Sequence, residues 1–160
     1  MDTPDVLAWR AGHIEALDQT ALPHEIRTLR IDTVDQLVQA ISSLAIRGAP
    51  VLGAAGALGV ALAARQGLGE GWDAARLDAE IQRIAGARPT AVNLSREVTA
   101  VAARIGEGSR AVEAAALGVL VATGLTSLVA DNRRAFFTSL SLSVAGAAAR
   151  RPIVKRRAPR

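Results

Sequence analysis

The stretch VLGAAGALGVALAA, residues 51–64, contains no charged side chain and has glycines at positions 53, 56 and 59. Small residues at every third position let another backbone approach closely, and a helix that is apolar on all sides belongs in a protein core. The stretch therefore predicts a central buried helix. No buried strand precedes its glycines in a βαβ unit, so they do not form a dinucleotide-binding fingerprint.

An amphipathic helix is predicted directly before this stretch. Apolar residues at positions 34, 37, 38, 41, 44 and 45 follow the 3.6-residue period of one helical face. Thr33 and Gln36 have the spacing of a capping box at its start. Gly48 followed by Pro50 is expected to end it.

The remaining elements are predicted outward from these two helices. Residues 6–10, 13–17 and 26–31 read as short strands, with Gly12 supplying the positive φ of a hairpin. Further helices are predicted at 73–85, after Pro89 and at 113–131, with a linker at 106–109. The sequence thus predicts an α+β domain over residues 1–131, in which a small N-terminal antiparallel sheet is followed by a helical bundle.

Charge divides the chain near residue 132. The formal net charge of +4 is the sum of two unlike parts. Residues 1–132 carry −4, from 11 Arg against 15 acidic residues, and residues 133–160 carry +8, from 8 basic residues and no acid. Residues 132–160 are expected to form a disordered basic tail, because they specify no folded element. The tail lacks the interleaved aromatic residues of a stacking surface, so no nucleic-acid partner is predicted.

Several kinds of site are not predicted. The chain has no cysteine, which excludes disulfides and thiolate metal sites and fits a cytoplasmic protein. The N-terminus has no secretory signal pattern. His13 and His24 are isolated in the sequence and are expected to have structural or surface roles. We therefore predict neither a metal site nor a cofactor.

Two uncharged windows, residues 48–64 and 114–130, leave a membrane-associated helical fragment open as an alternative. A membrane span needs about 20 predominantly apolar residues, and each window is shorter and rich in Ala and Gly, which contribute little to insertion. Buried helices are the favoured interpretation, and no membrane partner is predicted.

Two segments place an arginine and a proline at a helix start: IRGAP, residues 46–50, and RPTAVNL, residues 88–94. Proline fits the first helical turn, the backbone N–H groups there are free, and an arginine adds a planar fork of donors. Both segments are therefore candidate anion-binding corners. A third distinctive segment, LDQTALPH at residues 17–24, reads as a polar loop after the hairpin.

In order and spacing, LDQTALPHE, the capped helix, IRGAPVLGAAGALGVALAA and RPTAVNL resemble the N-terminal half of the methylthioribose-1-phosphate isomerase family. That family is related to the regulatory subunits of translation initiation factor 2B and to ribose-1,5-bisphosphate isomerases. The resemblance covers residues 6–134. It implies an aldose-ketose isomerase of methionine salvage, which converts 5-methylthioribose 1-phosphate to 5-methylthioribulose 1-phosphate.

The resemblance also implies which residues bind substrate. Carried over by position, these are Arg47, Gly48, Ala49 and Arg88, which coincide with the two anion-binding corners. The implied partner is a phosphorylated sugar, and the family commonly forms dimers.

The catalytic pair of the family is not found in this sequence. The resemblance places a Cys, in a Thr-His-Cys-Asn segment, and a later Asp in a Rossmann-like C-terminal domain, and this chain has no Cys. We therefore expect a truncated or frameshifted product without catalytic residues, inactive alone because proton transfer needs an acid/base pair. The alternative is a noncatalytic protein-interaction module related to initiation factor 2B.

Overall fold

The computed structural model of the chain describes residues 5–125. Three strands come first and five helices follow: β1 (Leu7–Arg10), β2 (His13–Leu17), β3 (Thr28–Ile31), α1 (Val34–Ser42), α2 (Ala49–Glu70), α3 (Ala74–Gly86), α4 (Val92–Ala102) and α5 (Ser109–Ala122). The predicted fold class is confirmed. The predicted domain boundary at residue 131 and the predicted disordered basic tail at 132–160 lie outside the described residues.

The sheet is antiparallel, with β2 between β1 and β3. Ala11 and Gly12 connect β1 to β2 with φ values of 47° and 90°, the left-handed pair that matches the twist of a two-residue hairpin. A Cβ atom at Gly12 would overlap the guanidinium of Arg65 in α2. The third strand begins at Thr28, not at residue 26, because Thr28 pairs with Leu17, where β2 ends.

The predicted capping box of α1 is confirmed: the Thr33 hydroxyl accepts from the backbone of Gln36, and the Gln36 side chain accepts from the backbone N–H of Thr33. The helix nevertheless ends at Ser42, earlier than its apolar period suggests. Leu44 has a φ of 67°, which turns the chain out of the helix before Gly48 is reached. Ala45 and Ile46 are buried although they lie beyond the end of the helix.

Helix α2 is the predicted central helix, and every residue from 51 to 63 is buried. Its most extensive contacts are with α4 and α5. It continues six residues beyond the uncharged stretch to Glu70 and is followed by the C-cap residue Gly71, whose φ is 68°. Polar residues such as Arg65 and Gln66 are compatible with this last part, because the helix leaves the core there.

The connection between α4 and α5 differs from the predicted linker. Residues Ile105–Glu107 form a turn of 3-10 helix, and α5 begins at Ser109, directly after Gly108 with its φ of 96°. Helix α5 ends at Ala122, where the Thr123 hydroxyl donates to the Leu120 carbonyl at 2.7 Å. The last part of the predicted helix, residues 126–131, lies outside the described residues.

Within residues 5–125, α2 is the one helix long and apolar enough by composition to cross a membrane. In its most apolar window, 72% is buried inside the fold, the pattern of a core helix. The second uncharged window, residues 114–130, is described only in part, and its helix stops at Ala122.

Candidate functional site

The first predicted corner lies where α1 is connected to α2. Ile46 is buried, whereas Arg47, Gly48 and Ala49 are exposed. Gly48 adopts a φ of 94°, which side-chain-bearing residues rarely adopt, and its carbonyl accepts from the N–H of Leu52 at 2.9 Å to close the first turn. The turn that exposes Arg47 therefore requires glycine at position 48 for conformational reasons.

The start of α2 keeps its backbone donors free. No side chain caps it, and the N–H groups of Gly48, Ala49 and Val51 donate to no atom of the described residues. Helices α1 and α3, in contrast, are capped by the side chains of Thr33 and Asp73. Free N–H groups at a helix start favour an anion.

The second predicted corner lies between α3 and α4. Arg88 is half-buried, and its carbonyl accepts from the N–H of Ala91 at 2.9 Å in the turn that leads into α4. Helix α4 begins at Val92 after the N-cap residue Ala91, so Pro89 lies in the turn before the helix and not in its first turn, as the sequence had predicted. No side chain caps this start either.

Two contacts bring the corners to the same end of the bundle. The Ser42 hydroxyl, at the end of α1, donates to the carbonyl of Ala87, the residue before Arg88, at 3.3 Å. On α2, one turn after Ala49, Gly53 faces Asn93 so closely that a Cβ atom would lie 3.5 Å from the Asn93 Cβ. The structure thus places both predicted segments at one edge of the domain.

The predicted arginines also stand out by their charge environment. Most arginines of the described residues form ion pairs with carboxylates: Arg10, Arg27, Arg30, Arg76, Arg83, Arg96 and Arg104. Arg47 and Arg88 form none with any described residue, nor do Arg65 and Arg110. Arg65 lies against the hairpin turn. Arg47 and Arg88 thus have no carboxylate partner among the described residues and lie at exposed and half-buried positions, respectively.

Arg110 provides a useful contrast, because it also lies at an uncapped helix start. That start, through Ser109, lines a cavity together with Gly67 and Leu68 near the end of α2. Since a helix rises 1.5 Å per residue, the 22 residues of α2 separate this position from the Arg47 corner by about 30 Å.

The polar loop after β2 contacts the Arg47 corner, which the sequence did not predict. Gln19 donates its backbone N–H to the Ala45 carbonyl at 3.0 Å and its side-chain amide Nε2 to the Arg47 carbonyl at 3.0 Å. The only sequence signal was the distinctive composition of the LDQTALPH segment, which gave Gln19 no role.

Asp18 holds this loop in place. Its buried carboxylate accepts from the Thr20 hydroxyl at 2.6 Å and from the Arg27 guanidinium at 2.6 and 3.1 Å. Hydrogen bonds from Thr20 and Arg27 lower the pKa of the Asp18 carboxyl from 3.8 to about 2. The loop is therefore anchored by an ionised group at neutral pH.

The two histidines occupy different environments. His13 is buried in β2, and its Nε2 lies 3.5 Å from a Glu15 carboxylate oxygen, whereas His24 is exposed in the loop. Among residues 5–125, no three His, Cys, Asp or Glu side chains come together as a metal site would require.

No family model matches the chain. The chain is 48% identical over 130 residues to a protein of Nocardia farcinica named probable bifunctional methylthioribose-1-phosphate isomerase/methylthioribulose-1-phosphate dehydratase, covering 81% of this chain and 24% of that protein. It is 36% identical over 131 residues to methylthioribose-1-phosphate isomerase of Desulfosudis oleivorans, covering 82% of this chain and 36% of that protein. It thus spans about a quarter to a third of the length of these curated relatives.

Solved structures have the same fold. Subunit delta of translation initiation factor eIF-2B from A. fulgidus matches 76% of this chain and 36% of its own length, at 34% identity and a TM-score of 0.63. The 5-methylthioribose 1-phosphate isomerase of Pyrococcus horikoshii OT3 matches 74% of this chain and 36% of its own length, at 23% identity and a TM-score of 0.63. The chain is therefore a relative of the methylthioribose-1-phosphate isomerase family and corresponds to the N-terminal part of its members.

Proposed function

We propose that this chain is the N-terminal, substrate-holding part of a methylthioribose-1-phosphate isomerase, which interconverts 5-methylthioribose 1-phosphate and 5-methylthioribulose 1-phosphate. In this proposal Arg47, Gly48, Ala49 and Arg88 bind the phosphorylated sugar. The observation that supports it best is the meeting, at one edge of the domain, of two uncapped helix starts, each beside an arginine with no ion pair among the described residues.

The chemistry of the substrate fits these groups. A phosphate on C1 carries negative charge at neutral pH, and the planar donor fork of arginine pairs with it in a bidentate way. Because C1 carries that phosphate, the sugar cannot open as a free aldehyde in the ordinary way. Isomerisation therefore needs a site that opens the ring and moves hydrogen between C2 and C1.

We further propose that the 160 residues by themselves do not carry out that transfer. General acid/base catalysis needs a proton donor and an acceptor within reach of the reacting carbons. The family resemblance assigns these roles to a Cys and an Asp beyond the matched region, and this chain contains no Cys. Holding the substrate and transferring its proton are thus assigned to different parts of the family's sequence.

Binding is tested by titrating 15N-labelled chain with 5-methylthioribose 1-phosphate and following the backbone amide signals. The amides of Gly48, Ala49 and Asn93 should shift, and Arg47→Ala or Arg88→Ala should each raise the Kd by about tenfold or more. Arg110→Ala is the matched control, because this arginine also lies unpaired at a helix start but at the far end of α2. Equal affinity in all four proteins would contradict the site.

Turnover is tested with the purified chain and 5-methylthioribose 1-phosphate, with product formation followed by 31P NMR. We expect no isomerisation, because the acid/base pair is missing. The full-length isomerase of Desulfosudis oleivorans serves as the positive control. Measurable product from the 160-residue chain, at a rate proportional to its concentration, would show that the inactivity proposal is wrong.

The second candidate function is a noncatalytic module that acts through protein contacts, as in the proteins related to initiation factor 2B. The match to eIF-2B subunit delta, with 34% identity and a TM-score of 0.63, supports it. The succession of RGAP and RPTAVNL favours the isomerase. The amide titration separates the two candidates, since the module predicts no shift at Gly48 or Asn93.

The proposal also includes the extent of the domain, the cellular location and the oligomeric state that the family resemblance implies. The folded domain extends over residues 1–131, the protein works in the cytoplasm, and two copies pair as a homodimer. Light scattering during gel filtration tests the last part: a homodimer has twice the 16.6 kDa of one chain.

A further inference from the structure

Gln19 fastens the segment that carries Arg47. Its backbone N–H and its side-chain amide donate to the carbonyls of Ala45 and Arg47, each at 3.0 Å. Between these two carbonyls, the N–H of Ile46 donates in turn to the Ala40 carbonyl at 3.0 Å, and the Ile46 side chain is buried. Three hydrogen bonds and the buried side chains of Ala45 and Ile46 therefore fix residues 45–47 immediately before α2 begins.

The position of Gln19 is itself fixed on both sides. Asp18 donates its backbone N–H to the Arg27 carbonyl at 2.8 Å, and its carboxylate binds the side chains of Arg27 and Thr20. The Thr20 backbone N–H donates to the same carboxylate at 2.9 Å. Gln19 thus lies between two anchored residues.

The side-chain bond of Gln19 sets the direction of a backbone donor. The Arg47 carbonyl and the Gly48 N–H belong to one planar trans peptide group, so they point in opposite directions. Because the carbonyl is held toward Gln19, the N–H of Gly48 is directed to the opposite side, where it meets no acceptor among the described residues. Rotation of this peptide about the axis through the Arg47 and Gly48 Cα atoms would break the bond to Gln19 and turn the Gly48 N–H away from that side.

We propose that Gln19 is a positioning residue for the substrate-binding corner of Arg47 and Gly48. The inference rests on the proposed function, since it assigns that corner to the phosphorylated sugar. Gln19 does not touch the ligand. It holds the Arg47–Gly48 peptide in the orientation that presents the Gly48 N–H to the ligand. The peptide is then already ordered before binding, and ligand binding does not carry the entropic cost of ordering it.

The test compares Gln19→Ala and Gln19→Glu with the unaltered chain in the amide titration with 5-methylthioribose 1-phosphate. Glutamate keeps the shape of the side chain but cannot donate a proton to the Arg47 carbonyl when ionised. Both variants should raise the Kd about fivefold to tenfold, the effect of one hydrogen bond. Gln39→Ala, an exposed glutamine on α1 without a side-chain hydrogen bond to any described residue, should leave the Kd unchanged.

A second readout separates positioning from general destabilisation. In the Gln19 variants, the saturating shifts of the Gly48 and Ala49 amides should decrease, while those of Thr90 and Asn93 at the Arg88 corner keep their values. Unchanged affinity in both Gln19 variants, with Arg47→Ala still weakening binding, would overturn this inference alone. Absence of any shift in the unaltered chain would overturn the proposed function together with it.

Discussion

Asp18 keeps its negative charge although its side chain is buried, because hydrogen bonds from Thr20 and Arg27 stabilise the ionised form. An aspartate is seldom buried unless it is paired, and here the pairing fixes the loop that carries Gln19. A group whose pKa is lower in the folded than in the unfolded chain stabilises the fold at pH values above its unfolded pKa.

The first prediction concerns acid. The pKa of Asp18 is about 2 in the fold and 3.8 in the reference state, so its contribution is complete above pH 3.8 and is lost as the pH falls toward 2. The difference in free energy of unfolding between the unaltered chain and Asp18→Asn should therefore be constant near neutral pH and should shrink below pH 3.8. Urea denaturation at a series of pH values measures it.

Asp78→Asn is the matched control for this experiment, since Asp78 is exposed and forms no ion pair with any described residue. Its difference from the unaltered chain should remain small throughout. The free energies of unfolding of Asp18→Asn and the unaltered chain could instead differ by the same amount at pH 5 and pH 2. That result would contradict the assigned role of the carboxylate, because about two pH units below its reference pKa Asp18 is protonated in the unfolded chain.

At the scale of elements, the glycines of α2 determine how closely its neighbours pack. A Cβ atom at Gly56 would lie 2.7 Å from the Leu94 side chain and 2.9 Å from the Val98 side chain of α4. At Gly59 it would lie 2.5 Å from the Leu37 side chain of α1. The glycines thus permit two different helices to approach α2 on two faces.

The second prediction compares two glycines of the same helix. Gly56→Ala should lower the free energy of unfolding by about 1–3 kcal/mol, because the added methyl group overlaps α4. Gly69→Ala should raise it by up to about 1 kcal/mol, because no atom lies within 4 Å of the added Cβ and alanine favours the helix. Urea denaturation measures both changes. Equal effects of the same sign would contradict the described packing of α2.

At the scale of the molecule, the sheet and the bundle form one folding unit. The Trp9 indole of β1 donates to the Glu113 carboxylate of α5 at 2.9 Å, across 104 residues of sequence. The Val34 N–H, at the start of α1, donates to the Gln66 side chain of α2 at 3.0 Å. The core likewise includes side chains from the sheet and from all five helices.

The third prediction is therefore a single cooperative unfolding transition. Of the two tryptophans in the chain, Trp9 reports on the sheet and Trp72 on the connection between α2 and α3. In the Trp72→Phe variant, the fluorescence of Trp9 and the far-UV circular dichroism of the helices should have the same urea midpoint. Two separate midpoints in this variant would indicate that the sheet unfolds independently of the bundle.

Much of the fold could be predicted, because periodicity and helix-capping signals are local. The sheet, the capping box of Thr33 and the buried central helix were all indicated by neighbouring residues. The bounds were less accurate where the surroundings decide them. Helix α1 stops early because Leu44 adopts a left-handed φ of 67°, and β3 starts late because its partner strand ends at Leu17. Neither cause appears in the period of the sequence.

The candidate site likewise has features that neighbouring residues set and features that distant contacts set. Its components could be predicted from local sequence: an arginine and a proline near each helix start, where the first N–H groups have no intrahelical acceptor. Two features of the site appear only in the folded chain: the contact between Ser42 and Ala87 that brings the two helix starts together, and the hydrogen bond from Gln19 to the Arg47 carbonyl across 28 residues. Free donors at a helix start follow from local backbone geometry, whereas contacts between distant segments depend on how the whole core packs around α2.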